Sequence, residues 1–404
     1  MRLPLALILP VLILDILVDW YICRAVARRT SPARPLWRRL AVWSSVVLTL
    51  FLVAIVIWPK KSADDSDFAF LMWGLYAYFS IYIPKYIFVI FDLLASVPRL
   101  FHASRLRLLS WTGILLGVLT FGAMWWGALI NRFRIDVREV DFADSRVPEA
   151  FDGFKVVQIS DIHTGTYGDD TTFVASLVDA VNALEPDLVL FTGDIVNRRS
   201  TELEPFTSVL SRLKAPSGVM SVLGNHDYGD YFKWQSDSAK AADRRHLADL
   251  QRALGWDLLN NDTRYIYKEG RHGQRDSIAI VGVENIGDPP FPVYGDLDAA
   301  YPGDLADDVF KILMSHNPAH WTADIADAPD KNIPLTLSGH THAMQIELAG
   351  ISPAALRYST WGGRYDDADS THTLYVNIGT GEVGVPARIG ATPEVTLFTL
   401  RRGQ

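Results

Sequence analysis

Five short segments between residues 161 and 342 gather the side chains able to do chemistry: Asp161-Ile162-His163, Gly193-Asp194-Ile195-Val196-Asn197, Gly224-Asn225-His226-Asp227, Ser315-His316-Asn317 and Gly339-His340-Thr341-His342. Five of the ten histidines fall within them. Oxygen and imidazole donors without a thiolate suit Mn, Fe or Zn better than a structural Cys site would. Each segment ends or follows a short apolar run: KVVQIS, DLVLFT, GVMSVL, FKILM and PLTLS. Open α/β sheets place polar sites beyond the carboxyl ends of buried strands, so the pattern reads as a metal-hydrolase site at one sheet edge. Singly each motif is weak, since Gly-Asn-His-Asp also fits a capped turn. Their number and order carry the reading.

The elements behind these segments follow from periodicity. Strand-like runs alternate with helical patterns such as Thr172–Leu184, which Asp170 opens as an N-cap. Later runs, SIAIVGVE, TLYVNIG and EVTLFTL, read as strands without long helices between them. An α/β (α+β) domain of two stacked mixed β-sheets flanked by helices accommodates both halves. It is expected over residues 153–404, after a linker at 132–152.

The 404-residue chain is more apolar than an ordinary soluble enzyme, and the excess lies at its front. Four apolar stretches, about 3–23, 40–58, 68–96 and 109–130, each meet the ~20-residue length of a membrane-crossing helix. A multi-span transmembrane region is therefore expected over 1–131. Asp15 and Asp19 interrupt the first stretch, and no small-residue cleavage site follows it before Arg24, which argues against a signal peptide. Arg24, Arg28, Arg29, Arg34, Arg38, Arg39, Arg99, Arg105 and Arg107 fall on one side of these spans. Arg2, Lys60, Lys61, Arg132, Arg134 and Arg138 fall on the other. The richer side is expected to be cytoplasmic, leaving the catalytic part extracytoplasmic. Asp15 and Lys85 sit at comparable depth in the first and third spans and are expected to pair. The lone Cys23 closes no internal disulfide, which suits a bacterial cell envelope. The formal charge of -8 gives no sign of a nucleic-acid partner.

The series D-x-H, G-D-x-x-N, G-N-H-D, H and G-H-T-H resembles the calcineurin-like metallophosphoesterases over residues 155–400. The Ser315-His316-Asn317-Pro318 and Ser338–His342 segments also resemble the membrane-anchored bacterial YkuE/YaeI-like branch. So do Asn377-Ile378-Gly379-Thr380-Gly381, Pro386–Gly390 and Thr392-Pro393-Glu394. Ala343-Met344-Gln345 departs from the glycines many members carry there. The resemblance implies two divalent ions: Asp161, His163 and His342 on the first, Asn225, His316 and His340 on the second, and Asp194 between them. A carboxylate can hold two cations ~3.5–4 Å apart, a pair that activates water and clamps phosphoryl oxygens. Gly193, Gly224 and Gly339 are expected to let the backbone turn and approach the ions. His226 is expected to protonate the leaving group, with Asp227 orienting its ring. Asn197 and Asn317 are expected behind the ligands, and His320 either as packing or behind the ligands as well. His102, His246, His272 and His372 have no motif context.

The expectation is a membrane-anchored phosphoesterase acting on a phosphodiester or pyrophosphate. The resemblance points to a lipid-linked or envelope substrate, such as a UDP-diacylglucosamine type, with residues 288–301 and Trp361 as an apolar rim facing the bilayer. An extracytoplasmic nucleotide phosphohydrolase and an inactive metal-binding scaffold or sensor are the alternatives.

Overall fold

The computed structural model describes residues 5–29, 35–58, 65–270, 273–289, 291–301, 308–328 and 331–403. His272, Pro290 and the charged residues Arg2, Arg34, Lys60, Lys61 and Asp64 lie outside the described residues. The chain forms two compact units, Met1–Leu129 with Gly384–Ala387, and Ile130–Val383 with Arg388–Gln404.

In the first unit, helices α1 (Leu5–Arg29), α2 (Pro35–Ile57), α3 (Asp65–Leu94) and α4 (Arg107–Leu129) match the four apolar stretches. Among the described residues three helices are long and apolar enough to cross a membrane, within Arg39–Ile57, Asp67–Phe101 and Arg107–Phe133. Helix α1, which carries Asp15 and Asp19, is not among them. Close packing of α4 on α3 follows from a Gly-x-x-x-Gly spacing, which lets two backbones approach. An added Cβ at Gly113 would lie 2.6 Å from Phe91 Cβ, and one at Gly117 would lie 3.1 Å from Pro84 O.

Helices α1 and α3 are joined by buried polar contacts, but the expected partners are exchanged. Lys85 Nζ reaches Asp19 Oδ1 at 2.8 Å, not Asp15. The Tyr78 and Tyr86 hydroxyls both donate to Asp15, and Tyr82 donates to Asp19 at 2.7 Å. Each Asp15 oxygen thus accepts from a tyrosine, and the lysine pairs one helical turn further along α1. A double-mutant cycle on thermal unfolding of the detergent-solubilised protein checks this pairing. Asp19→Asn and Lys85→Met should couple by about 0.5–3 kcal/mol, and Asp15→Asn with Lys85→Met by less. Additive losses for the Asp19 pair would contradict the ion pair.

The second unit is built on two six-stranded mixed sheets. The first runs β1 (Asp136–Asp144), β12 (Glu394–Arg402), β2 (Lys155–Ile159), β3 (Leu188–Phe191), β4 (Val219–Ser221) and β5 (Asp257–Leu258). The second runs β10 (Gly363–Asp366), β11 (Thr373–Val376), β9 (Leu335–Ser338), β8 (Phe310–Met314), β7 (Arg275–Gly282) and β6 (Asp262–Glu269). Strands β2 to β5 are parallel, as are β7, β8, β9 and β11. Period-two alternation divides their side chains between two faces. Leu188, Leu190, Ile278, Ile280, Leu335 and Leu337 share one core between the sheets. Val189 and Phe191 pack outward with Val174, Leu177, Val178 and Val181 of the helix Thr172–Ala183. Ala279 and Val281 pack outward on the other sheet with Trp321 and Ile325. Asp170 Oδ1 accepts from Thr172 N at 2.9 Å at the start of that first helix.

Residues 136–144, in the segment expected as a linker, are part of the fold. They form β1, paired in parallel with β12 from Asp136↔Glu394 to Asp144↔Arg402. Among them only Phe142 is buried. The mixed charge that resembled a linker belongs to the solvated side chains of an edge strand.

Candidate metal centre

All five chemical segments leave parallel strands at one edge, three from the first sheet (β2, β3, β4) and two from the second (β8, β9). Buried Gln158 ties the sheets together just beneath. Its Nε2 donates to Ser338 O at 2.9 Å and to Thr192 Oγ1 at 3.1 Å. Beyond the strands the chain turns sharply. Asp161 (φ 53°), His163 (51°), Asp194 (59°), His340 (74°) and His342 (51°) are all left-handed without being glycine. Such backbone is strained and persists where its surroundings over-determine it.

Those surroundings are visible. Asp227 accepts from the backbone N–H of Gly224 and Asp194, both at 2.9 Å, of Ile195 at 3.0 Å and of Val196 at 3.2 Å. Behind Asp161 lies the Asn377–Gly381 segment, where Thr380 N donates to Ser160 O (2.9 Å) and Gly381 N to Asp161 O (2.7 Å). A Cβ on Gly381 would lie 1.9 Å from Ile162 O, so only glycine fits there. Of the three glycines beside the ligand positions, Gly193 alone has a positive φ (98°). Gly224 and Gly339 serve by close approach, since added Cβ atoms would lie 2.2 Å from Asp194 Oδ1 and 2.3 Å from Asp161 Oδ2.

The result is two donor groups, Asp161 with His163 and His342, and Asp194 with His316 and His340. In each, one donor atom per residue lies within 4.8 Å of the others. His342 Nε2 is 3.2 Å from Asp161 Oδ1 and 3.1 Å from His163 Nε2. His316 Nε2 is 3.2 Å from Asp194 Oδ2, from Asn225 Oδ1 and from His340 Nδ1. Asp194 Oδ2 is also 3.6 Å from His163 Nε2. One atom therefore faces both groups, while Asp194 Oδ1 is held by His226 N at 2.8 Å. The far ring nitrogens of the second group are occupied: His316 Nδ1 by Thr192 O (2.8 Å), His340 Nε2 by the Tyr358 hydroxyl (3.1 Å). This directs the opposite nitrogens inward, as ligating histidines require.

Electrostatics agree with a cation site. Burial opposes charge on Asp161 and Asp194, yet His342 holds the first, and His316 the second, well below the usual carboxylate range. Burial also works against a proton on His316, but Asp194 outweighs it and the ring rises to about 9. Burial lowers His163 and His226, and with His316 it lowers His340 to about 3. Ionised carboxylates and the neutral His163 and His340 are the protonation states that metal binding needs, and the proton that Asp194 holds on His316 is the one a bound cation would displace. The donor set thus fits divalent cations.

The expected contact between Asp227 and the His226 ring is not made. His226 Nδ1 meets Asn197 O at 2.6 Å, and Tyr231 stacks on its ring at 4.1 Å and 12°. Asp227 does not orient that ring, because both its oxygens are committed to the backbone N–H groups above; burial and Asp194 push it up to about 7. Asn197 acts through its carbonyl, and Asn317 Oδ1 accepts from Ala319 N (3.0 Å). His320 is packing: Nδ1 meets Ser315 Oγ at 2.9 Å, and burial lowers it to about 4. His246 and His372 meet Glu204 and Asp367, and His102 closes a helical turn of the first unit. Tyr231 and Tyr358 carried no motif signal, and Arg388 lies in the Pro386–Gly390 stretch, which supported the resemblance without pointing to a role for the arginine. Arg388 is fully buried and places Nη2 3.1 Å from His342 Nδ1.

Comparison with known proteins agrees with this geometry. Residues 154–344 match the model described as "Calcineurin-like phosphoesterase". Residues 1–132 match "Probable Calcineurin-like phosphoesterase, transmembrane domain". The chain is 32% identical over 293 residues to "Uncharacterized metallophosphoesterase YkuE" of Bacillus subtilis, covering 70% of this chain and 92% of that protein. It is 32% identical to "Transmembrane protein with metallophosphoesterase domain" of Bos taurus, covering 66% of this chain and 57% of that one. It is 27% identical to "UDP-2,3-diacylglucosamine pyrophosphatase LpxG" of Chlamydia trachomatis, covering 57% of this chain and 78% of that one. The chain belongs to the calcineurin-like phosphoesterase family. It is a membrane-associated, metal-dependent phosphoric ester hydrolase.

Proposed function

We propose that Asp161, His163 and His342 hold one divalent ion, that Asn225, His316 and His340 hold a second, and that Asp194 bridges them. The observation that carries this is the position of Asp194 Oδ2, 3.6 Å from His163 Nε2 and 3.2 Å from His316 Nε2. Bound ions would supply Lewis acidity toward phosphoryl oxygens and lower the pKa of an attacking water. The chain supplies the rest. Asn225 adds a neutral oxygen donor, keeping the cluster's charge positive for a phosphate ester, and its Nδ2 donates to the Tyr231 hydroxyl at 2.9 Å. His226, whose Nδ1–H donates to Asn197 O and whose ring stacks on Tyr231, presents Nε2 as the proton-carrying atom. Burial keeps that nitrogen unprotonated at rest, so it takes a proton from the attacking water and passes it to the departing oxygen. Asp227 is a positioning residue acting through the Asp194 and Gly224 backbone.

The substrate reading is a phosphodiester or pyrophosphate carried on a lipid. Supporting it, the loop after His342 carries Leu348, Ile351 and Leu356 at 80, 74 and 93% exposure, and Leu356 lies two residues before Tyr358, the hydroxyl partner of His340. Phe291 and Val293 are exposed as well. Trp361 is half-buried, packed on Ala343, Ile378 and Ala391, and so offers less apolar surface than these leucines. A membrane-tethered enzyme with apolar side chains beside its site suits an amphiphile, and the relative whose name includes "UDP-2,3-diacylglucosamine pyrophosphatase" acts on one.

Leaving-group chemistry tests the site. His226→Ala should keep its metal and lose about 10²–10⁴-fold in turnover on alkyl phosphodiesters, with a smaller loss on p-nitrophenyl esters. Metal loss, or an equal fall on both classes, would return His226 to a structural role. A lipid pyrophosphate should be hydrolysed faster than soluble nucleotides in the same screen; the reverse order would favour the nucleotide reading.

The arginine distribution supports an extracytoplasmic catalytic unit. Fusions to a reporter active only outside the cytoplasm should be silent after Arg105 and active at the C-terminus. The opposite pattern would place the enzyme in the cytoplasm.

A further inference from the structure

The membrane unit holds a charged cavity that the phosphoesterase chemistry does not use. Its volume is about 580 Å³, and it lies where the C-terminal parts of α1 and α3 meet the start of α4. Arg24 from α1, Arg99 and Arg105 from the α3–α4 connection, and Arg107 from α4 all line it. Opposite them is one acid, buried Asp92, which accepts from Tyr21 at 2.9 Å and pairs with Arg105. Arg105 also donates to Ser110 Oγ at 2.7 Å, which fixes its guanidinium at the cavity wall. Among the described residues no carboxylate pairs with Arg24, Arg99 or Arg107.

Membrane orientation explains why arginines gather near one set of helix ends. It does not require three separate elements to turn them into one cavity with a fixed arginine in its wall. Besides Tyr21, Ser96 and Ser110, the wall has an apolar part: Trp111, 68% exposed, and Ile114, 38% exposed, face the cavity from α4. Guanidinium forks match phosphate oxygens in geometry and charge. Basic pockets between transmembrane helices are suited to phosphate-bearing headgroups, and the volume is that of a small-molecule site. A free anion has no use for the Trp111 wall, whereas a phospholipid fills both halves.

We propose that this cavity binds the phosphate group of an anionic membrane lipid, with Arg99, Arg105 and Arg107 on the phosphate and Trp111 and Ile114 against its apolar part. Bound there, the lipid neutralises an arginine cluster that α1, the α3–α4 connection and α4 otherwise hold together against repulsion. This site is independent of the metal centre and shares no residue with it.

Thermal unfolding of the full chain in zwitterionic detergent, titrated with phosphatidylglycerol, phosphatidylcholine or inorganic phosphate, tests the proposal. Phosphatidylglycerol should raise the wild-type midpoint saturably, and phosphatidylcholine should not. In the Arg99→Gln/Arg107→Gln variant the half-saturating phosphatidylglycerol concentration should rise ~10-fold or more. Arg99→Lys/Arg107→Lys keeps the charge that orients the helices but loses the forks, so its half-saturation should fall between the two. That variant carries the comparison if the Gln variant does not fold. A shift reproduced by inorganic phosphate with the same arginine dependence would assign the cavity to a free anion. No shift with either ligand, or the same half-saturation in wild type and the Gln and Lys variants, would overturn it.

Discussion

One carboxylate oxygen sets the terms for the catalytic unit. Asp194 Oδ2 faces both donor groups, and it can do so only because Asp194 adopts a left-handed backbone (φ 59°) just past β3. Its other oxygen is pinned by His226 N, and its own peptide N–H is pinned by Asp227. Asp227 in turn gathers the backbone on both sides, from Gly224 and from Ile195 and Val196. Five strand ends from two sheets converge on this point. Buried Gln158, reaching Ser338 O across the core, fixes one sheet against the other. Rearranging any of these would move charges packed within a few ångströms, where weak dielectric screening makes displacement costly.

Much of this was legible in the sequence, because the information is local. FKILM coincides with β8, and the other four runs preceding the chemical segments each contain a strand. Apolar strand followed by polar turn is a pattern of adjacent residues, so the positions of Asp161, Asp194, Asn225, His316 and His340 at one edge could be read directly. What stayed hidden depends on contacts between distant residues. Tyr358 reaches His340 from a loop with no motif, and Arg388 reaches His342 across 46 residues. Asp227 follows His226 so closely that it reads as its partner. In the fold, the imidazole turns to Asn197 O, and the carboxylate turns inward to the backbone. Strand β1 was obscured because an edge strand shows its charged side chains to solvent and buries only Phe142.

The same division holds in the membrane unit. The lengths of the four helices follow from apolar runs, and contact between α1 and α3 from the buried charges each carries. The partner of Lys85 does not. Asp15 and Asp19 are four residues apart and lie on one helical face, so the choice between them rests on where Tyr78, Tyr82 and Tyr86 reach. Sequence spacing gives the face, and packing decides the turn.

The central claim is that Asp194 is shared by two ions, and metal content measures it most directly. Wild-type protein, purified in detergent and reconstituted with Mn, Fe or Zn, should carry about two equivalents per chain by elemental analysis. Asp194→Asn, which replaces the shared charge with an amide, should fall below about one equivalent and lose hydrolysis, because neither ion keeps its bridging ligand. An Asp194→Asn protein that is folded, retains both equivalents and still hydrolyses phosphate esters would contradict the account.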